Sequence, residues 1–392
     1  MREEVYVTEP NKKGLALSGG GFRATLYALG SLMRMNEDGL LTELDTITAV
    51  SGGAIAAGYL MLKWHELDFV PIDESRKRYK AVNFHDIVAK PLLNFCSCTI
   101  TSKGRIAWAT ANPLTSAVKE VRKKYEVQLF GDIKLKNIPD CSKSPEFIFY
   151  GTNLDTGSSV RISKDYIRDY NIGVAKNHNI TLAEAISISS GFPPFLSPIC
   201  LDGSNWEWED DSYQKLPSDV IANLRKKLTL CDGGLYDNMG LEMLWKHGKN
   251  REYDTVFSCD AGAPFSVPWN SLWRTFYNWA GKFARMSDIM INQQRALRKR
   301  MLVRNFEENE YRGSYWSIEN SYGGYNGVEP LISADKFKDY EHLKNLGTQL
   351  KGFKGPDNYR LVNLGFNHTD CSLRSWFEPG LSKPLQLPFP LF

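Results

Sequence analysis

A serine between a strand-like run and a helix-like run constrains the fold of this chain most strongly. Residues 44–50 are β-branched and apolar, which predicts a strand, and residues 54–62 predict a buried helix. Ser51 therefore lies at a strand-to-helix corner, the geometry of a nucleophile elbow. Such a corner needs small residues two positions before and after the serine. Ala49 and Gly53 hold these positions, so one of the two usual glycines is an alanine.

A glycine turn precedes this corner. Residues 13–18 predict a short strand, Gly19, Gly20 and Gly21 follow it, and residues 24–33 have apolar side chains at helical spacing. Strand, glycine turn, helix, strand, serine corner and helix then form a βαβα opening. We therefore predict an α/β fold with a mainly parallel central sheet flanked by helices.

The rest of the chain gives a coarser set of predictions. Residues 64–113 indicate helical cover with loops, and residues 203–227 an exposed acidic insertion. We predict strands at 146–152, 160–163, 228–231, 255–259 and 359–362, and helices at 113–125, 182–190, 241–245 and 334–352. We expect residues 1–392 to form a single domain whose core motifs lie at 14–262. Helical additions from about residue 265 to residue 392 would pack on this core or regulate it.

One long helix is predicted at 271–301. Its apolar side chains alternate at spacings of four and three, with a break only at Gln293. This apolar seam consists of Leu272, Phe276, Trp279, Phe283, Met286, Met290, Leu297 and Met301. We interpret it first as a core-packing surface. A homodimer seam, or a membrane-facing surface that includes Trp273 and Arg285, stays open as an alternative.

Composition narrows the classes of function. A formal net charge of +3 over 392 residues gives no broad basic surface, so we expect no nucleic-acid polymer as partner. The first residues are charged and do not resemble a signal peptide, and the longest apolar run, 54–62, is far short of the roughly 20 residues of a membrane span. Seven cysteines without metal-site spacing fit reduced thiols, so we expect a cytoplasmic protein without a bound metal.

The serine corner and the glycine turn together suit nucleophilic chemistry. A serine hydroxyl attacks an acyl carbon only when a base accepts its proton and positive dipoles stabilise the oxyanion. Ser51 lies at a helix N-terminus, where the N–H of Gly52 is a donor, and residues 19–21 offer further backbone donors free of side chains. Arg23 follows that turn and would steady either the loop or the charge.

Two bases are possible from the residues alone. Asp232 follows a predicted strand and precedes Gly233 and Gly234, which places its carboxylate at the carboxyl edge of the sheet near Ser51. As a base it needs a pKa raised by burial or a very short bond to the hydroxyl. His368 offers the alternative, because Ser51, Asp232 and His368 have the chain order of an α/β-hydrolase triad.

Three blocks in this order resemble the signatures of patatin-like phospholipases. They are the glycine turn with Phe22 and Arg23, the serine corner, and Asp232 with its two glycines; residues 152–157 and 185–195 are also similar to family segments. The resemblance covers residues 14–262. It implies a Ser51–Asp232 dyad without histidine, an oxyanion hole from the first glycine block, an acyl-enzyme intermediate, and hydrolysis of membrane-lipid esters without metal or cofactor.

The resemblance also implies partners, and the residues leave rival functions open. A phospholipid substrate implies peripheral contact with the inner membrane surface. Some similar bacterial proteins are effectors activated by a cyclic nucleotide, although no site for one is evident here. One rival is a catalytically silent lipid-binding or scaffold protein. Another is a dinucleotide-binding domain, since residues 19–24 match G-x-G-x-x-A, but Asp45 precedes its strand rather than following it.

Overall fold

The βαβα opening is confirmed. A computed structural model of the chain describes residues 10–100, 117–193, 196, 198–213, 216–246, 251–265, 279–321, 323–325, 327–353 and 355–391. Its first elements are β1 (Lys12–Leu17), α1 (Gly21–Glu37), β2 (Thr46–Ala49) and α2 (Gly52–Lys63). The glycine turn and the serine corner therefore each join a strand to the helix that follows it.

The remaining described strands are β3 (Phe69–Asp73), β4 (Arg78–Ala81), β5 (Glu146–Asn153), β6 (Ser159–Ile162), β7 (Tyr166–Asp169), β8 (Gly173–Lys176), β9 (Ile199–Leu201), β10 (Glu207–Glu209), β11 (Leu228–Asp232), β12 (Tyr253–Asp260) and β13 (Arg312–Ser317). Strands β3 and β4 pair with each other, and the other eleven described strands share one sheet. Within this sheet the run β5-β2-β1-β12-β13 is parallel, and β13 lies at the edge. Antiparallel strands, β6, β7, β8 and β10, continue it beyond β5.

Helices cover both faces of this sheet, as expected for the predicted α/β class. The further helices are α3 (Lys90–Cys96), α4 (Ala117–Tyr125), α5 (Leu182–Ser189), α6 (Ser218–Lys226), α7 (Gly234–Asp237), α8 (Trp279–Glu307), α9 (Ala334–Phe337) and α10 (Asp357–Ser372). The predicted capping box at the start of α5 is present, because Thr181 and Glu184 bond to each other's backbone N–H. No described helix combines the length and apolar character that crossing a bilayer requires.

The last third of the chain contributes to the same core. Strand β13 pairs with β12, and α10 packs against α1 so closely that their backbones touch. A Cβ atom on Gly30 would lie 2.0 Å from the Val362 carbonyl oxygen, and one on Gly365 would lie 2.0 Å from the Tyr27 oxygen. The strand predicted at 359–362 is wrong, since these residues lie in α10. A short apolar run does not by itself distinguish a strand from a buried helix.

Four other local predictions are wrong in whole or in part. The region predicted as helical cover contains the hairpin β3–β4, whose charged turn is held by the Asp73 carboxylate accepting from Ser75 and the Arg76 N–H. The acidic insertion contains β10 and α6, because β10 pairs with β8 and becomes part of the sheet. Residues 241–245 form hydrogen-bonded turns rather than a helix, and 334–352 contains only short helical turns.

The long helix α8 does not bury its apolar seam. Met286, Met290, Leu297 and Met301 are 47–61% exposed, so the core-packing interpretation is wrong for these residues. Residues 271–278, and the side chains of Trp279 and Phe283, lie outside the described part. The buried face of α8 instead carries Ser287, Arg295, Leu302 and Asn305. Periodicity located the apolar stripe, but the partners of each face depend on the tertiary packing.

Candidate active site

Ser51 occupies a strained turn at the end of β2. Its φ of 52° and ψ of −117° lie in a region that residues other than glycine rarely adopt, and its side chain is 7% exposed. A Cβ atom on Gly52 would lie 2.0 Å from the Gly21 carbonyl oxygen, and one on Gly53 would lie 2.6 Å from the Leu17 oxygen. The start of α2 therefore lies in close contact with the end of β1 and the glycine turn, as a nucleophile elbow requires. Ala49, two residues before Ser51, is fully buried.

Asp232 lies at the end of β11 and is 2% exposed. The N–H of Gly234 donates to its Oδ1 at 2.7 Å, and the Ser51 hydroxyl hydrogen-bonds to the same carboxylate. Burial raises the pKa of Asp232 to about 7, even though these two bonds act in the opposite direction. The carboxyl group therefore has the pKa that a general base needs near neutral pH.

The register of β5 explains why Ser51 and Asp232 meet. Strand β2 runs parallel to the first half of β5, with Ala49 opposite Phe149, whereas β11 runs antiparallel to its second half, with Asp232 opposite Gly151. Both strands lie along one edge of β5, because β6 occupies the other edge. Strand β11 therefore runs in the opposite direction to β2, and the carboxyl ends of the two strands meet beside β5. This brings Asp232 to Ser51.

Three backbone donors near Ser51 are available to an oxyanion. Within the described residues, the N–H groups of Gly20, Gly21 and Gly52 donate to no protein acceptor. The N–H of Gly19, in contrast, donates to the Asn238 carbonyl at 3.0 Å, so this donor is occupied. Such unpaired groups at helix N-termini stabilise negative charge.

Arg23 holds a loop from the last third of the chain against the glycine turn. Its buried guanidinium donates to the carbonyl oxygens of Ala261 and Leu346 and to the Thr348 hydroxyl, and the Phe22 N–H donates to the Gln349 oxygen at 3.0 Å. Burial, with a smaller contribution from the nearby charge of Arg295, lowers the pKa of Arg23 to about 10. Arg23 therefore stays charged at neutral pH and is bonded to residues 346 and 348, and its role in steadying the glycine turn or the developing charge stays a prediction.

A cavity of about 400 Å³ opens at this point of the sheet. It is lined by six of the seven predicted site residues, Gly19, Gly20, Gly21, Arg23, Ser51 and Asp232, and by further residues that sequence reasoning missed. The latter include Asp288, Ile291, Asn292 and Arg295 of α8, and Thr348, Gln349 and Leu350. The four α8 residues recur at helical spacing on the face opposite the apolar seam. This spacing is present in the sequence, but the prediction for this helix used only the apolar seam.

The structure does not bring His368 to the cavity that Ser51 and Asp232 line. His368 is 0% exposed in α10, does not line the cavity, and lies with its Nδ1 2.9 Å from the Tyr27 hydroxyl. Burial lowers the pKa of His368 to about 3, so the ring is neutral at neutral pH. Although the chain order suggested a triad, His368 lies in the contact between α1 and α10.

The acid considered for the dinucleotide hypothesis is also placed. The Asp45 carboxylate accepts from the Lys13 N–H at 2.7 Å, at the start of β1 and the end of the sheet opposite the glycine turn. An acid there cannot hold the ribose of a dinucleotide at that turn. Across the described residues, no group of three or more His, Cys, Asp or Glu side chains is arranged to hold a metal ion.

Comparisons with known proteins agree with this architecture. A family model described as patatin-like phospholipase matches residues 15–245, more than half of the chain. No curated protein matches the chain significantly.

Solved structures resemble the chain in fold. Human GIVD cytosolic phospholipase A2 has a TM-score of 0.52 and 13% identity over 92% of this chain and 60% of that chain. Its complex with methyl gamma-linolenyl fluorophosphonate has a TM-score of 0.50 and 16% identity, covering 92% and 57%. VipD from Legionella pneumophila has a TM-score of 0.37 and 15% identity, covering 92% and 66%. The chain thus spans about 60% of the human phospholipase chain.

Proposed function

This chain belongs to the patatin-like phospholipase family, and from that membership we propose that it is a lipid acyl hydrolase of the phospholipase A type. One observation carries the proposal: the hydroxyl of Ser51, in a strained elbow, hydrogen-bonds to a buried carboxylate whose pKa is about 7. The substrate class follows from the family, and the proposed substrates are the acyl esters of membrane glycerophospholipids.

The first half of the proposed reaction acylates the serine. Asp232 accepts the hydroxyl proton while Ser51 Oγ bonds to the ester carbonyl carbon. The N–H groups of Gly20, Gly21 and Gly52 receive the oxyanion that forms. The intermediate collapses as the bond to the alcohol oxygen breaks, and Asp232 returns the proton to the departing alcohol.

The second half restores the enzyme. Water replaces the alcohol, Asp232 accepts one of its protons, and the hydroxyl oxygen attacks the acyl carbon. The ester bond to Ser51 then breaks, and the proton on Asp232 passes to Ser51 Oγ. A buried carboxyl with a pKa of about 7 suits this alternation, because it both accepts and releases a proton near neutral pH.

Acyl release from phospholipid vesicles tests the proposal. We expect Ser51→Ala and Asp232→Asn to abolish fatty-acid release, whereas Ser212→Ala, a partly exposed serine outside the cavity, retains it. A serine-reactive fluorophosphonate with a long acyl chain should label the wild type and Ser212→Ala but not Ser51→Ala. Substitution of His368 should not stop release in any variant that stays folded, since this ring lies outside the cavity.

Two outcomes would overturn the proposal. Fatty-acid release by Ser51→Ala at the wild-type rate would show that Ser51 is not the nucleophile. A wild type that neither hydrolyses esters nor reacts with the probe would favour the silent binding or scaffold alternative.

A homodimer, a cyclic-nucleotide activator and a cytoplasmic location stay predictions. Adding a panel of cyclic nucleotides to the same assay tests the second, and constant activity would count against it.

A further inference from the structure

Helix α8 exposes an apolar stripe on the side opposite the candidate active site. The outer stripe consists of Met286, Ile289, Met290, Leu297 and Met301, which are 43–61% exposed. From first to last these residues extend over about 22 Å of helix, since each residue adds about 1.5 Å. The exposed Gln293 interrupts the stripe between Met290 and Leu297, and exposed apolar surface of this extent marks an interaction surface.

The opposite face of the same helix forms a wall of the cavity. Ile291, Asn292 and Arg295 line it, and Arg295 fixes the helix there through the buried Asp260 carboxylate at 2.8 Å. The cavity therefore lies about one helix diameter, roughly 10 Å, from the outer stripe. Phe265, 42% exposed and two residues after the cavity residue Ala263, adds an apolar side chain on this side of the molecule.

Positive charge accompanies the stripe. Lys282 and Arg300 are exposed, fall on the same side of α8 at helical spacing, and enter none of the ion pairs found among the described residues. At the C-terminal end of this side Arg304 pairs with Glu308 and Glu307 is exposed, so the positive charge in excess is that of Lys282 and Arg300. Apolar side chains flanked by cations match the acyl boundary and anionic headgroups of a phospholipid surface.

A second copy of the chain fits this surface less well. In a two-fold dimer the same patch faces itself, so the cations beside both stripes would meet at one interface. Anionic lipid headgroups would instead neutralise them. The charge pattern therefore selects a membrane surface over a dimer partner.

We propose that the outer stripe of α8 docks the protein on an anionic phospholipid membrane and holds the candidate active-site cavity beside its substrate. This proposal rests on the proposed function for its biological meaning, but the docking step is measurable without hydrolysis. Binding buries the five apolar side chains at the acyl boundary and sets Lys282 and Arg300 among the headgroups.

Vesicle co-sedimentation tests docking in a Ser51→Ala background, which prevents lipid turnover. The probes are vesicles of phosphatidylcholine alone and of phosphatidylcholine with phosphatidylglycerol. We expect Met290→Asp with Leu297→Asp to lower the vesicle partition coefficient at least about tenfold, because two apolar contacts become charged groups. The matched control, Val127→Asp with Leu385→Asp, changes two strongly exposed apolar residues off the stripe and should bind as the parent does.

Charge reversal tests the headgroup contact. Lys282→Glu with Arg300→Glu should lower binding to the phosphatidylglycerol vesicles and leave the weaker binding to phosphatidylcholine alone unchanged. Undiminished vesicle binding by the Met290→Asp, Leu297→Asp variant would overturn the proposal. A dimer in sedimentation velocity that this variant converts to a monomer, with vesicle binding unchanged, would assign the stripe to a second copy instead.

A soluble short-chain ester separates the two proposals. With Ser51 intact, the stripe variant should hydrolyse this ester at the wild-type rate while its hydrolysis of vesicles falls. If the wild type hydrolyses neither substrate but still binds vesicles through the stripe, the proposed function fails and the docking surface stands.

Discussion

At the residue scale, the buried Asp232 carboxyl is the group whose protonation matters most. Its pKa of about 7 arises because burial opposes the charge more than the Gly234 N–H and the Ser51 hydroxyl stabilise it. Burial therefore suits proton exchange with Ser51, and it lowers the stability of the fold when the carboxyl is ionised.

The pH dependence of hydrolysis follows from this pKa. Only the carboxylate form accepts the serine proton, so we expect the rate on a soluble ester to rise with pH and to reach half its plateau near pH 7. Initial rates from about pH 5 to about pH 9 would check this. A rate that is flat down to about pH 5 would contradict it, because an ordinary aspartate is fully ionised there.

The free energy of unfolding depends on Asp232 in the opposite direction from the rate, because it falls as pH rises. The folded pKa, about 7, exceeds the ordinary value of 3.8, so the contribution of Asp232 is fully present below pH 3.8 and is lost as pH rises to about 7. Asp232→Asn does not ionise, so it should be more stable than the wild type above pH 7. We expect a gain of about 1–4 kcal/mol at most, measured by denaturant unfolding at high and low pH. Equal gains at both pH values would contradict this account.

Gly52 is required by close backbone contact. In Gly52→Ala the new methyl group would lie 2.0 Å from the Gly21 oxygen, and moving either backbone displaces two oxyanion donors. We expect ester hydrolysis to fall at least about 100-fold.

Gly58→Ala in the same helix is the control for Gly52→Ala. Its methyl group would lie 2.8 Å from the end of the flexible Ile186 side chain, which can move. We expect this variant to keep the wild-type rate, measured on the same ester. Equal rates for the two variants would show that the corner tolerates a side chain.

At the element scale, one ion pair fixes α8 to the sheet. The Arg295 Nε lies 2.8 Å from the carboxylate of Asp260, a fully buried residue that also accepts from the Tyr315 hydroxyl at 2.7 Å. Burial acts to lower the pKa of Arg295, but Asp260, Tyr315 and Glu319 together outweigh it and raise this pKa, so the guanidinium stays charged. Helix α8 can therefore wall the cavity on one face while its other face stays open to solvent.

Removing this cation should destabilise the fold. Arg295→Leu leaves a buried carboxylate without its counter-ion, and we expect a loss of about 3–5 kcal/mol in the free energy of unfolding. Arg304→Leu removes an exposed pair with Glu308 on the same helix and should leave the free energy of unfolding almost unchanged. Denaturant titrations of both variants give the comparison, and similar losses would mean that Asp260 is not held by Arg295.

At the scale of the whole molecule, the last third of the chain is built into the core and the site. Strand β13 pairs with β12, α10 packs on α1, and residues 346–350 lie against the glycine turn. The helical extension expected from the sequence therefore also supplies an edge strand of the sheet. That the chain is a single domain stays a prediction.

Cooperative unfolding tests that prediction. Because β12 joins β13 to β1 and α10 packs on α1, we expect the slowest amide hydrogens of these elements to lose protection at the same denaturant concentration. Native-state hydrogen exchange read by mass spectrometry measures this. Earlier opening of β13 and α10 together, with β1 and α1 still protected, would instead indicate a separate unit.

The sequence by itself determined the α/β class, the strand-turn-helix corners and the short set of candidate residues around Ser51 and Asp232. These features depend on neighbours a few positions apart, where apolar periodicity and glycine turns act directly. Local patterns did not distinguish a strand from a helix at 359–362. They also did not identify the hairpin β3–β4.

Only the tertiary structure decided the rest of the site. The pKa of Asp232, the occupied Gly19 N–H, the Arg295 wall of the cavity and the outward direction of the α8 stripe all depend on residues far apart in the chain. Strand β11 meets β2 through antiparallel pairing with β5, and His368 is buried against Tyr27. Burial and long-range pairing set these properties, and neither is encoded in the spacing of neighbouring residues.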